Sequence, residues 1–149
     1  MKRCVRAIIT YEDNILVMRR DKFGQQYYIL IGGHVGVGES LEKALFREIH
    51  EETMIRMTDP KLVYVEHAPL PYGDQYIYTC EYVSGVPMLH PDADERYINH
   101  SGDNVYTPMW LPIAQLETVP FRSPELRSKI IKGLAQGFPK EPKEYTPKS

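Results

Sequence analysis

The segment from Gly33 to Ile55, GHVGVGESLEKALFREIHEETMI, restricts this chain more than any other part of it. Its first half is glycine-rich, with Gly32, Gly33, Gly36 and Gly38 close together. Its second half, from about Ser40 to Thr53, is rich in Leu, Ala, Glu, Lys and Arg and predicts a helix. Ser40 stands at the N-cap position, with Lys43 rather than an acid three residues on. The segment carries five acidic residues: Glu39, Glu42, Glu48, Glu51 and Glu52. Helical residues three or four apart share a face, so Glu48, Glu51 and Glu52 fall on one arc. Leu41, Leu45 and Ile49 project onto or beside that arc. The acidic cluster therefore continues the buried side of the helix toward its C-terminal end.

Such a cluster is unfavourable on three counts. Like charges one turn apart repel. Burial desolvates each carboxylate. The C-terminal end of a helix is the wrong end of the macrodipole for anions. A hard divalent cation, Mg²⁺ or Mn²⁺, offsets all three, because it prefers carboxylate and water oxygens. The chemistry that follows is metal-assisted attack of water on phosphorus. The competing reading is a solvated helix face with pairs such as Arg47–Glu51. The glycine loop favours the first, since it lets backbone groups approach phosphate or metal closely.

The 149 residues fit one domain, expected over residues 1–138, with a Lys-, Glu- and Pro-rich tail at 139–149 expected to be disordered. A net charge of −2 offers no global attraction to nucleic acid or anionic membrane, so neither is an expected partner. The two cysteines, Cys4 and Cys80, lack CxxC spacing and read as free thiols. Behind Lys2 and Arg3 the apolar run is too short for a signal peptide or membrane span. A cytoplasmic location is the expectation.

Residues Val5–Tyr11 and Asn14–Arg19 predict a hairpin turning at Glu12-Asp13-Asn14. Further strands are expected at Tyr27–Ile31, Leu62–His67, Gln75–Val83 and Val105–Leu111. Residues Pro91–Asn104 read as a long polar loop, and Pro112–Leu116 as a short helical turn. Ser123-Pro124-Glu125 starts a second helix reaching about Gln136, with Leu126, Ile130, Ile131 and Leu134 as its apolar face. This alternation predicts an α/β domain, a mixed β-sheet sandwiched between helices.

The same segment resembles the signature of the Nudix hydrolase family, G-x5-E-x7-R-E-U-x-E-E-x-G-U, where U is a bulky apolar residue. Gly33, Glu39, Arg47-Glu48-Ile49, Glu51-Glu52 and Ile55 match; Met54 stands where the pattern has glycine. The resemblance implies a MutT-like Nudix fold and a pyrophosphohydrolase. It implies Glu48, Glu51 and Glu52 as Mg²⁺ or Mn²⁺ ligands, joined by a backbone carbonyl near Gly32 or Gly33. Arg47 is implied as an orienting residue, and Gly32, Gly33 and Glu39 as loop supports. An additional acid from a later loop is also implied. Glu95 is the first candidate for it, with Asp92 and Asp94 as alternatives. Arg19 and Arg20 end a strand near the expected site and are candidates for binding phosphate.

The implied reaction is metal-dependent cleavage of a pyrophosphate bond in a nucleoside diphosphate linked to another moiety. The alternative is a Nudix-like binding or regulatory domain without catalysis, against which the intact Arg47-Glu48 and Glu51-Glu52 pairs count. The expected partner is a small nucleotide, and Tyr76, Tyr78 and Tyr82 suggest sheet packing or a homodimer face. The absence of GxSxG and Walker patterns argues against a serine hydrolase or a P-loop enzyme.

Overall fold

The structure, a computed structural model, describes residues 2–100 and 102–148, with the backbone alone at residue 97. Strand β1 (Arg3–Tyr11) runs through the middle of the sheet. It meets β2 (Asn14–Lys22) as an antiparallel hairpin, but only at Thr10↔Ile15 and Tyr11↔Asn14. Beyond those two rungs the strands part. The expected run at Tyr27–Ile31 divides at Leu30 for this reason. Its first part, β3 (Gln25–Ile29), pairs with β2, and its second, β4 (Ile31–His34), pairs with β1 from Cys4↔His34 to Ala7↔Ile31. The glycines Gly32 and Gly33 thus lie within the sheet, opposite Arg6 and Val5.

On its other side β1 runs parallel to β6 (Asp74–Ser84), which pairs with β5 (Arg56–His67). Strand β5 begins six residues earlier than its apolar run, and register shifts between Thr58 and Leu62 bend it. The sheet is mixed, in the order β3-β2-β1-β6-β5-β8, where β8 is Lys143–Tyr145, with β7 (Asn104–Pro112) on β2.

Alternation along the strands supplies two faces. Val5, Ala7 and Ile9 face helix α1 (Leu41–Thr53), which buries Ala44, Leu45 and Ile49 against them. Burying Leu45 and Ile49 contributes about 2 kcal/mol each. Ile8, Ile15, Val17 and Ile77 form the other face, covered by α3 (Pro124–Gln136) through Leu126 and Ile130. The sheet is therefore sandwiched between helices. Tyr78 packs in the α1 layer, while Tyr82 stacks on Tyr11 and Trp110 with ring centroids 4.6 and 5.4 Å apart. Both cysteines are free and buried, and burial pushes the Cys80 thiol up to about 12.

Two expectations are corrected. The loop at Pro91–Asn104 contains a short helix, α2 (Asp94–Asn99), whose Asn99 side chain bonds both backbone groups of Tyr106. Six residues, mostly polar, are too short a run for a period that reveals a helix. The tail at 139–149 is not structureless: β8 (Lys143–Tyr145) lies parallel to β5, and Tyr145 packs edge-on against Tyr64 at 6.2 Å. Its order comes from the edge it joins rather than from its own composition. No helix among the described residues is long and apolar enough to cross a membrane.

Candidate active site

Helix α1 carries the acidic cluster, and its entry is fixed by two local devices. Ser40 Oγ accepts the Lys43 N–H as N-cap. Glu39 turns back to accept the Gly36 N–H at 2.8 Å, closing the glycine loop. At the middle of the helix, Arg47 ties loop to helix. Its guanidinium bonds both oxygens of Glu39 at 2.8 and 2.9 Å, the His34 carbonyl at 2.9 Å and Glu48 Oε1 at 2.9 Å. Its fourth carboxylate contact, Glu51 Oε2, is longer at 3.4 Å. The Arg47 and Gly36 donors hold the Glu39 carboxyl down at about 2.

Glu52 is 5% exposed, and the backbone N–H of Gly32 donates to its Oε1 at 2.9 Å. Burial raises its pKa well above the ordinary carboxylate range, and the charge of Glu48 adds to this. The Arg6 guanidinium and the Gly32 N–H act in the opposite sense. Glu48 is likewise pushed up by burial, and Arg47 pulls it back. Its carboxylate presses against Gly33, where an added Cβ would stand 2.5 Å from Oε2. Glu51 is the most open of the three, with 42% of its side chain exposed.

The helix ends with Met54 in the left-handed conformation, φ 56° and ψ 16°, its N–H bonded to the His50 carbonyl. The family-typical glycine is absent, yet the terminus keeps the shape glycine would favour.

Glu95 opens α2 and lies near enough for its charge to raise both Glu48 and Glu52. Asp92 is turned to solvent, its N–H bonded to His90 Nδ1, and Asp94 is exposed. Arg20 lies in the same layer, 7% exposed, 3.6 Å from the Tyr106 ring, and hydrogen-bonded to Asn104. Its Nε is buried without a hydrogen-bond partner. Arg19 points to the opposite face and pairs with Asp21 at 3.0 Å, away from the carboxylates.

A cavity of about 260 Å³ opens on the α3 side of β4, lined by Arg6, Leu30, Glu66, Tyr72, Gln75 and Ser123 among others. Arg6 donates to Gln75 Oε1 and to the Leu30 carbonyl. Arg122 lies over the rings of Tyr27 and Tyr72, at 4.3 and 5.3 Å. Sequence reasoning singled out Ser123 alone, as a helix cap, and passed over the others as site residues. They come from five separate stretches of chain, and none sits in a recognisable spacing.

The donor set suits a hard divalent cation. Two buried carboxylates side by side, each made hard to ionise by burial, call for a positive charge to hold them charged. Among the described residues no three acidic, His or Cys groups converge into a ready cage. An open set of this kind fits a cation that takes the remainder of its shell from water and substrate phosphate.

The fold and this acidic helix define a class: an α/β sandwich that presents clustered carboxylates at a glycine loop. The NUDIX domain family model matches residues 1–134, and the chain belongs to that family. It is 31% identical over 95 residues to an NAD-capped RNA hydrolase NudC of Pseudomonas putida, a match covering 62% of this chain and 34% of that protein. A Salmonella typhi NudC matches at 32% over 88 residues, again with 34% of that protein covered. The chain thus spans about a third of the length of these curated relatives. Among solved structures, a MutT protein from Bacillus halodurans superposes with TM-score 0.66 at 18% identity, covering 99% of this chain and 92% of the other. An ADP-ribose pyrophosphatase from Streptococcus suis does so with TM-score 0.66 at 16% identity, covering 97% and 98%. At these identities the structural likeness speaks for the fold alone.

Proposed function

We propose that this protein is a divalent-metal-dependent pyrophosphohydrolase acting on a nucleoside diphosphate linked to another moiety. The observation that carries the reading is Glu52: a buried carboxylate beside a second one, with only the Arg6 charge and one backbone donor set against its burial. Glu48, Glu51 and Glu52, with a carbonyl of Gly32 or Gly33, would hold Mg²⁺ or Mn²⁺. When bound, the cation supplies neutralisation of phosphate charge and a more acidic water.

The chain's own residues account for the rest. Arg47 clamps Glu48 and Glu39 so that the carboxylates keep one orientation. Glu95, at the start of α2, accepts the proton of the attacking water. The water oxygen bonds to one phosphorus and the bridging P–O bond breaks, leaving two phosphate esters. Arg20, with its unpartnered Nε, is the cation available to phosphate, and Arg19 is assigned no role.

NAD-capped RNA and ADP-ribose, for which the similar proteins are named, share a nucleoside diphosphate core. The cavity beside β4, whose Arg6 also acts on the charge of Glu52, is the candidate place for a nucleoside. A panel containing ADP-ribose, NAD⁺, dinucleoside polyphosphates, sugar nucleotides and NAD-capped RNA tests the reading, with Mg²⁺ or Mn²⁺ present. Turnover by wild type that falls at least about a hundredfold in Glu52→Gln is expected. Equal turnover by both would refute the ligand assignment, and no turnover of any compound would refute the activity.

A further inference from the structure

The cavity beside β4 contains a carboxylate that hydrolysis leaves unused. Glu66, on β5, lines this cavity and is 5% exposed. Its Oε2 accepts two hydroxyl donors, Ser123 Oγ at 2.6 Å and Tyr145 OH at 2.7 Å. Ser123 is the N-cap of α3, and Tyr145 belongs to β8. Three elements distant in sequence therefore converge to hold one oxygen. Among the described residues, Glu66 Oε1 has no hydrogen-bond partner, and no cation pairs with Glu66. With Ser123 and Tyr145 both on Oε2, Oε1 is the oxygen left to accept from a ligand in the cavity. Tyr145 is itself held protonated: burial, followed by its bond to Glu66, raises its pKa. The two hydroxyls direct their protons to Oε2 and leave Oε1 as a fixed acceptor.

The surroundings suit a nucleobase. At about 260 Å³ the cavity is below the size that encloses a whole drug-sized ligand, about 300 Å³ upward, and matches a part of one. Tyr72, held by the Arg122 guanidinium packed against its ring, gives the cavity an aromatic wall. Leu30 lines the cavity, and Gly32, which holds Glu52, follows two residues later. Arg6, which lines the cavity, also acts on the charge of Glu52, so the cavity and the carboxylates are neighbours.

We infer that Glu66 Oε1 accepts a hydrogen bond from the exocyclic amino group of the base, so that the site favours adenine or cytosine nucleotides over their carbonyl counterparts, hypoxanthine and uracil. The inference rests on the nucleotide-hydrolase reading and adds a specificity-determining residue to it. A carbonyl at the same place would set oxygen against carboxylate oxygen and lose the bond. Glu66→Gln converts the acceptor to a donor. Ser123 and Tyr145 still donate to the amide oxygen, which turns the –NH₂ toward the cavity.

The test is calorimetric binding of ADP, IDP, CDP and UDP, with EDTA present so that neither metal nor turnover contributes. Wild type is expected to prefer the amino member of at least one pair, ADP over IDP or CDP over UDP, by about tenfold or more. Glu66→Gln is expected to lose or reverse that preference. Equal affinities within both pairs in wild type overturn the inference, whatever the variant does. So does a wild-type preference that persists in Glu66→Gln. Because binding is read without divalent metal, failure of the hydrolytic reading leaves this result separately visible.

Discussion

The backbone N–H of Gly32 donates to Glu52 Oε1 across 2.9 Å, and this bond joins the central sheet to the acidic helix. It exists because Gly32 sits in β4 with no side chain: a Cβ there would overlap the backbone carbonyl oxygen of Val5 on β1. Gly32→Ala should force β4 from β1 and lose the bond to Glu52 together. A loss of about 3 kcal/mol or more in unfolding free energy is expected by denaturant titration. A loss below about 1 kcal/mol would mean that the strand pair yields easily.

Gly33 makes the contrasting case. An added Cβ would meet only the Glu48 carboxylate, at 2.5–2.7 Å, the mobile end of a side chain. Gly33→Ala should fold nearly as well as wild type while moving a metal-ligand candidate. Its kcat on the best panel compound should fall on the order of a hundredfold, the usual consequence of an ångström's misplacement. Unchanged kcat would remove Glu48 from the ligand set.

Arg47→Lys keeps the charge but loses the planar fork that reaches Glu39, Glu48 and the His34 carbonyl together. The stability change should be small, about 1 kcal/mol, because the guanidinium is 36% exposed and water screens the pairs. Activity should fall more steeply, by about tenfold or more, since orientation of the carboxylates is what the fork supplies. A variant with wild-type kinetics would assign Arg47 a purely structural place.

Met54→Gly relieves a side chain held at φ 56°. Thermal unfolding should shift upward, corresponding to about 0.5–1 kcal/mol, because glycine adopts this region without steric cost. A lower midpoint would show that Met54 packing outweighs its backbone strain.

His67 bonds Asp74 through Nδ1 and Glu144 through Nε2, both at 2.8 Å, and so pins β8 to β5. The Asp74 bond, followed by the Glu144 bond, raises its pKa above the ordinary value of about 6.5. A folded-state pKa above the unfolded one gives stability that is full below pH 6.5 or so. That stability is lost as pH rises through the folded value. The difference in unfolding free energy between wild type and His67→Gln should therefore be larger at pH 5.5 than at pH 9. An NMR titration of His67 reads the same shift directly, and a midpoint at or below the ordinary value would contradict it.

Much of the site's chemistry was written locally. Ser40, Glu39, Arg47 and the three carboxylates act within one loop and one helix, where a residue's angular position follows from its number. The helix bounds, the two N-caps and the hairpin at Glu12–Asn14 followed for the same reason. The sequence also carried the two faces of the sheet, through alternation, and with them the sandwich.

Tertiary structure alone decided what lies between distant segments. That Gly32 bonds Glu52, that the run at Tyr27–Ile31 splits between two partners, and that 143–145 form a strand are properties of pairing. Pairing depends on which edge is free, and no short window of sequence records that. Ser123, Glu66 and Tyr145 meet around one carboxylate oxygen although they are 57 and 79 residues from each other along their bonds. The helix that holds the chemistry could be read from its period. The cavity beside β4 exists only once the chain has closed on itself.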